Sequence, residues 1–167
     1  MGISIHLSIS KSVTQEEWEG VYEETLHLVE KFPLAEKRNV SIHGIDTFCM
    51  IPTREREQTY LYPKEKTVRL WNAIGDLDTL KTAEEYSLPR ELVDESSYEP
   101  DAGDALLGAL PAYMSYSWDD DRFNHVYEKW GAKTQGEPYH LYLLAIAALI
   151  EARLGRKAFI YGDITRG

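Results

Sequence analysis

The chain has little cysteine and lacks the patterns of secretion and membrane insertion. Cys49 is the one cysteine among 167 residues, so an intramolecular disulfide or a cysteine-based zinc site is excluded. The segment after Met1 has no signal-peptide pattern, and the longest apolar run, Leu141 to Ile150, is too short to span a bilayer. We therefore expect a cytoplasmic bacterial protein without membrane contact.

Positive charge is also scarce. The chain has 18 Lys and Arg against 28 Asp and Glu, which gives a formal net charge of −10. Its basic residues occur in small groups that are interleaved with Glu or apolar residues. Such a surface repels nucleic acid, so we expect no nucleic-acid partner. The same charge would attract a basic protein partner.

Recognisable catalytic motifs are missing. The sequence has no Gly-x-Ser-x-Gly elbow, phosphate-binding loop, dinucleotide-binding glycine pattern or His-Glu-x-x-His motif. The acidic run Asp119–Asp121 lacks the alternating ligands and the glycine turn of a calcium loop, so a helix cap or a solvated turn is favoured there. We expect neither a metal nor a cofactor, and a function other than catalysis is favoured.

The first third of the chain predicts a strand, a helix and a second strand. Ile3, Ile5, Leu7 and Ile9 alternate with polar residues, as in a half-buried strand. Thr14 and Glu17 form a capping-box pattern at the start of a helix that Pro33 ends. The apolar positions of this helix recur at helical spacing, and they are Trp18, Val21, Tyr22, Leu26, Val29 and Phe32. A strand around residues 40–45 completes a β-α-β start.

The middle of the chain predicts a β-meander. Residues 59–62 and 67–71 flank a turn at 63–66, and residues 75–78 form another turn before a strand at 79–88. The acidic stretch 93–104 contains Pro100 and Gly103, and we interpret it as an exposed internal loop.

The last third predicts a buried helix. A short helix is expected at 104–114, and Pro138 suits the start of a strongly apolar helix that Gly155 ends. A strand at 157–161 follows. The sequence therefore predicts an α+β fold: a mixed sheet or meander of about five to six strands, packed against the N-terminal helix and the buried C-terminal helix.

The domain organisation is predicted as a single α+β domain over residues 1–167. The chain finishes on a strand and a turn in which Asp163 and Thr165 are helix-capping residue types. We therefore expect it to be the N-terminal part of a longer protein.

Two histidines and the cysteine are the candidates for chemistry. His6 and His43 lie on the polar sides of predicted strands, and as neighbours they would form a proton-transfer pair with an acid such as Asp163 or Asp76. The alternative is that both are ordinary surface histidines. Cys49 lies among apolar residues, which favours a buried structural thiol over a nucleophile.

Two aromatic segments are candidate binding surfaces. One spans residues 113–118, and the other is the glycine-containing loop 130–140. Tyr, Trp and Met are enriched at binding surfaces, although these residues would serve equally to cover a sheet. The predicted binding residues are Tyr116, Trp118, Trp130, Gln135, Tyr139, His140 and Asp163.

These observations leave the function open among three classes. The favoured hypothesis is a protein–protein interaction or regulatory module of a larger bacterial protein, with an acidic inhibitor or immunity-type binder as a subtype. The second is a hydrolase that uses His6, His43 and an acid. The third is a small-molecule-binding domain in which loop 130–140 lines the pocket.

Overall fold

The computed structural model describes residues 2–60, 66–92 and 126–163, which form eight strands and two helices. The strands are β1 (Ser4–Ser10), β2 (Leu34–Ile42), β3 (Ile45–Pro52), β4 (Arg56–Tyr60), β5 (Lys66–Asp76), β6 (Thr82–Pro89), β7 (Val126–Lys133) and β8 (Ala158–Gly162). The helices are α1 (Gln15–Lys31) and α2 (Tyr139–Leu154). The predicted α+β class is confirmed.

The strands form two antiparallel sheets where the sequence predicts one. The first has three strands in the order β7-β1-β8, and the second has five, in which β5 pairs with β2 and β4 along one edge and with β6 along the other. Strands β1 and β2 of the predicted β-α-β start therefore belong to different sheets. Periodicity identifies strands but not their partners, and β1 pairs with strands that are distant in sequence.

Helix α1 begins where the capping box predicts. The Thr14 hydroxyl accepts from the Glu17 backbone N–H at 3.2 Å, and the Glu17 carboxylate accepts from the Thr14 backbone N–H at 2.9 Å. Both contacts satisfy donors that a helix start leaves unpaired. The predicted apolar stripe is buried at Trp18, Val21 and Val29, so it fixes the face that α1 turns toward the core.

Helix α2 is apolar on most sides and contributes much of the core. Leu143, Ile146 and Ile150 are fully buried, and Gly155 ends the helix with a φ of 57°, which favours glycine. A 3₁₀ turn at Gly155–Lys157 then leads into β8 beside β1. In the described part of the chain, neither helix is long and apolar enough to cross a membrane.

Aromatic side chains join the two sheets. Trp130 on β7 packs edge-on against Trp71 of β5 and Tyr86 of β6, with ring centroids 6.0 and 5.4 Å apart. Its indole N–H donates to the Ser87 carbonyl at 2.7 Å. The Tyr86 hydroxyl donates in return to the Ala132 carbonyl on β7. These contacts bury apolar area and satisfy the polar tips of the rings at the same place.

The buried residue Arg90, which follows β6, forms ion pairs and a ring contact with α1. The Arg90 guanidinium lies 4.9 Å from the centre of the Tyr22 ring and donates to Glu55 at 2.5 Å and to Glu23. These carboxylates hold the pKa of Arg90 above its usual range, so the buried side chain stays charged and paired.

Some predicted elements cannot be compared with the structure. The loop 93–104, the short helix at 104–114 and the acidic run Asp119–Asp121 lie outside the described residues. The organisation as a single domain also stays a prediction.

The junction between the sheets predicts a structural role for Trp130. Replacing it with Phe removes the indole donor to Ser87 and leaves a small cavity, so we expect the free energy of unfolding to fall by about 2–3 kcal/mol. Urea denaturation measures this change. The control is Phe48→Leu at an aromatic residue that is 55% exposed, which should shift stability by no more than about 0.5 kcal/mol. Equal effects of the two variants would contradict the assignment.

Candidate functional site

Residues 36–51 form a two-stranded ribbon that extends beyond the part of the five-stranded sheet in which β2 pairs with β5. Only Leu34 and Ala35 of β2 pair with β5, whereas β2 and β3 stay paired from Ala35–Pro52 out to Ile42–Ile45. Strand β3 is the end strand of this sheet, and no other described strand pairs with its outer edge. The outer edge of β3 therefore presents backbone donors and acceptors that another strand can use.

The ribbon exposes large apolar side chains. Ile42 is 55% exposed, Ile45 is 70% exposed and Phe48 is 55% exposed. The Phe48 ring also carries the Lys37 ammonium 4.0 Å from its centre. Ile42 and Ile45 are paired across the two strands, and neighbouring exposed apolar residues of this kind are typical of interaction surfaces.

His43 lies in the turn of the ribbon, and the condition for a pair with His6, that their strands are neighbours, is not met. His43 and Gly44 have φ values of 53° and 77°, the left-handed pair of a two-residue hairpin turn. His6 lies on β1, whose neighbours are β7 and β8, so the strands that carry the two imidazoles are not adjacent. Asp76, a proposed acid partner, is buried and accepts from the Thr79 backbone N–H at 2.8 Å in a turn.

Cys49 was expected in the core, and this prediction is wrong. It lies on β3 within the ribbon and is half-buried. The apolar neighbours that suggested burial, Phe48 and Ile51, belong to a strand that projects from the sheet. An apolar run identifies a strand but does not say which of its faces is covered.

The three-stranded sheet instead pairs His6 with a glutamate from β7. His6 Nδ1 lies 3.2 Å from Glu128 Oε1, and the Tyr161 ring stacks on the imidazole with centroids 4.5 Å apart. The Tyr161 hydroxyl donates to the same carboxylate oxygen at 3.4 Å. Burial, with a smaller contribution from the Glu128 charge, raises the pKa of Tyr161 to about 12, so the hydroxyl remains protonated at neutral pH.

Two glycines make room for this arrangement. A Cβ at Gly131, opposite His6 on β7, would lie 2.7 Å from Glu128 Oε1. A Cβ at Gly162 would lie 2.5 Å from the Ser4 carbonyl, and the φ of 126° there is one that side chains rarely adopt. Sequence reasoning did not identify Glu128, because its approach to His6 depends on a long-range pairing that contains a register shift.

Asp163 and His140 lie at the same end of β1. Asp163 accepts from the backbone N–H and the hydroxyl of Ser4, at 2.9 and 3.2 Å, and these bonds lower the pKa of its carboxyl. The charges of His6 and His140 lower it further. The structure thus brings His6, His140 and the predicted acid Asp163 within electrostatic reach of one another.

The His6–Glu128 pair is chemically suited to proton transfer. A carboxylate on Nδ1 orients the imidazole and leaves Nε2 to exchange a proton. A hydrolase also requires an accessible nucleophile. Ser8, on the same strand, is buried. Ser4, also on β1 and partly exposed, uses its hydroxyl as a donor to Asp163. The hydrolase hypothesis therefore stays a prediction.

The predicted binding residues occupy different environments. Trp130 and Tyr139 are buried, and the Tyr139 hydroxyl donates to the Glu84 carbonyl at 2.9 Å. Gln135 is exposed in the turn after β7 with a φ of 57°. Tyr116 and Trp118 lie outside the described residues. Binding by this set stays a prediction. Within the described ranges, no three His, Cys, Asp or Glu side chains are grouped as a metal site.

His140 predicts a pH dependence of stability. Its Nδ1 lies 2.7 Å from Thr134 Oγ1, and the Thr134 hydroxyl also lies 3.2 Å from the Ile3 carbonyl. Burial lowers the pKa of His140 below its usual value of about 6.5. When the pH falls below the ordinary pKa of about 6.5, the imidazole of the unfolded chain takes up a proton and that of the folded chain does not. The free energy of unfolding therefore decreases until the pH reaches the lower pKa of the folded state.

Urea denaturation at several pH values between 8 and 5 measures this slope. His140→Asn should reduce the loss of stability on acidification. His43→Asn is the matched control, because His43 lies in an exposed turn and asparagine tolerates its positive φ. An unchanged slope in His140→Asn would contradict the prediction.

Comparisons with known proteins return no relative. No protein-family model, no curated protein and no solved structure matches the chain.

Proposed function

We propose that this chain is a protein-interaction module that takes up an extended segment of a basic partner along the outer edge of β3. The observation that carries the proposal is the apolar edge strand on the ribbon. Strand addition of this kind gains affinity from backbone hydrogen bonds and specificity from the alternate side chains of the added strand.

The composition of β3 supports strand addition. Edge strands usually carry lysines, prolines or bulges that prevent pairing with another chain. Between Ile45 and Ile51, β3 has neither lysine nor proline, and Asp46 is its one charged residue. Its register with β2 is continuous, without a bulge. An edge without these protective features is prone to pair with other chains, and a specific partner strand would cover it.

Apolar contacts are available on both faces of the ribbon. Because strand side chains alternate, Ile45 and Phe48 point to opposite faces. An added strand would therefore meet an apolar anchor on each side, next to the backbone bonds that set its register. Exposed aromatic and large aliphatic residues of this type are the usual anchors of protein interfaces.

Charge favours a basic partner over a second copy. Two chains of net charge −10 repel each other, whereas a basic protein is attracted over long range. Exposed carboxylates on α1, including Glu16 and Glu30, add to this field. We expect the field to raise the association rate and the β3 edge to supply the short-range contacts.

The partner can be captured at the proposed edge. A photo-crosslinking amino acid at position 47, an exposed β3 residue, in the protein made by its own cells would attach to whatever lies against the edge. Mass spectrometry then identifies the attached peptide. The purified partner should bind the unmodified chain, with an association rate that decreases as the salt concentration rises.

Variants test whether the edge carries the affinity. Ile45→Ser and Phe48→Ser should each weaken the purified complex by about tenfold or more, the usual loss at an interface anchor. Leu141→Ser is the control, because Leu141 on α2 is 68% exposed, close to the exposure of Ile45. Equal binding by all three variants would refute the proposal. Crosslinking to a second copy would also refute it.

A further inference from the structure

We propose that the root of the ribbon forms a binding site for a small oxyanion that also carries hydrogen-bond donors. A groove of about 420 Å³ lies between the ribbon and the face of the five-stranded sheet opposite the core. Its volume falls within the range of small-molecule sites. Polar and charged side chains from four strands line it, among them Glu36, Arg38, Arg56, Gln58, Asn72 and Glu85.

A buried carboxylate lies at the base of the groove. Glu36 is 1% exposed, and neither of its oxygens accepts a well-aligned hydrogen bond from a described residue. Arg56 Nε lies 2.8 Å from Oε2, and Arg38 Nη2 lies 3.5 Å from Oε1. The attraction is therefore one of charge rather than of aligned hydrogen bonds. Burying a carboxylate in this way costs several kcal/mol unless the paired cations compensate.

The buried carboxylate holds two guanidinium groups at the groove. Arg56 also donates from Nε to Asn72 Oδ1 at 3.3 Å, and the Asn72 amide donates to Glu85. The contacts of Arg56 with Glu36 and Asn72 are both made by Nε. Its Nη atoms are therefore the donors that a bound molecule would contact. The side chains of Arg38 and Arg56 are 43% and 29% exposed, which leaves both accessible.

The guanidinium donors of the lining select the ligand class. Arg38 and Arg56 present guanidinium groups to the groove against the carboxylates of Glu36 and Glu85, whereas the Lys37 ammonium lies over the Phe48 ring. The accessible guanidinium donors, rather than an excess of charge, favour an anion there. Guanidinium groups match the geometry of carboxylate and phosphate oxygens. The exposed Glu85 is an acceptor, so the ligand would also carry a hydroxyl or an amine.

This site is independent of the strand-binding edge. The edge uses the outer side of β3, whereas the groove uses β2 and the strands on its inner side. Removal of the apolar anchor Ile45, as in Ile45→Ser, should leave anion binding intact, because Ile45 does not line the groove. Replacement of Arg38 should leave the strand edge intact, so the two proposals can fail separately.

Calorimetric titration with inorganic phosphate and with citrate tests the site. Both should bind in a buffer of constant ionic strength, whereas sodium chloride and glucose should not. Arg38→Gln should weaken binding at least fivefold. Arg153→Gln should bind like the unmodified chain, because Arg153 pairs with Glu24 on α1 away from the groove. Absence of binding, or equal binding by the two variants, would overturn the proposal.

The contribution of Arg56 requires a charge-balanced variant. Arg56→Gln alone leaves Glu36 buried without its closest cation and is expected to unfold the chain. The double variant Glu36→Gln/Arg56→Gln removes both charges and keeps similar side-chain volumes. It should fold and bind phosphate at least fivefold more weakly than the unmodified chain. Unchanged binding by this folded double variant would overturn the role of Arg56.

Discussion

The packing of Trp130 between the two sheets is the contact on which the rest of the structure depends. Its ring packs against Trp71 and Tyr86 of the five-stranded sheet, and its indole N–H donates to the Ser87 carbonyl on β6. Burial of these rings removes apolar area from water, and the resulting stabilisation is proportional to that area. The junction also explains why an aromatic-rich segment that suggested a binding loop contains residues of the interior.

The ribbon and the groove have one structural origin. Strand β2 continues past the point where it stops pairing with β5, so it carries β3 away from the sheet and opens a space beside β4. Glu36 lies at this point of divergence and is neutralised by arginines from β2 and β4. A single divergence of strands therefore creates both an apolar edge on one side and a charged groove on the other.

Local features of the fold could be predicted from the sequence, and long-range ones could not. The capping box at Thr14, the alternation of Ile5, Leu7 and Ile9 and the helix end at Gly155 depend on neighbouring residues, and the structure has them where the pattern predicts. The partners of β1, the approach of Glu128 to His6 and the burial of Glu36 depend on which strands pair. No local pattern encodes that choice, so the sequence singles out His6, His140 and Asp163 but indicates neither the β3 edge nor the groove.

The position of β1 has a consequence for the order of events during synthesis. Strand β1 lies at the centre of the three-stranded sheet and pairs with β7 and β8, which come late in the sequence. The hydrogen bond from Ser4 to Asp163 joins residues that are 159 positions apart. Contacts of such sequence separation slow folding, because the intervening chain must be ordered first. While the chain emerges from the ribosome, the apolar face of β1 has no sheet partner until residues 126–162 are made. During that interval the next element in the sequence, α1, can cover the apolar face of β1, because its capping box is local and needs no later residue.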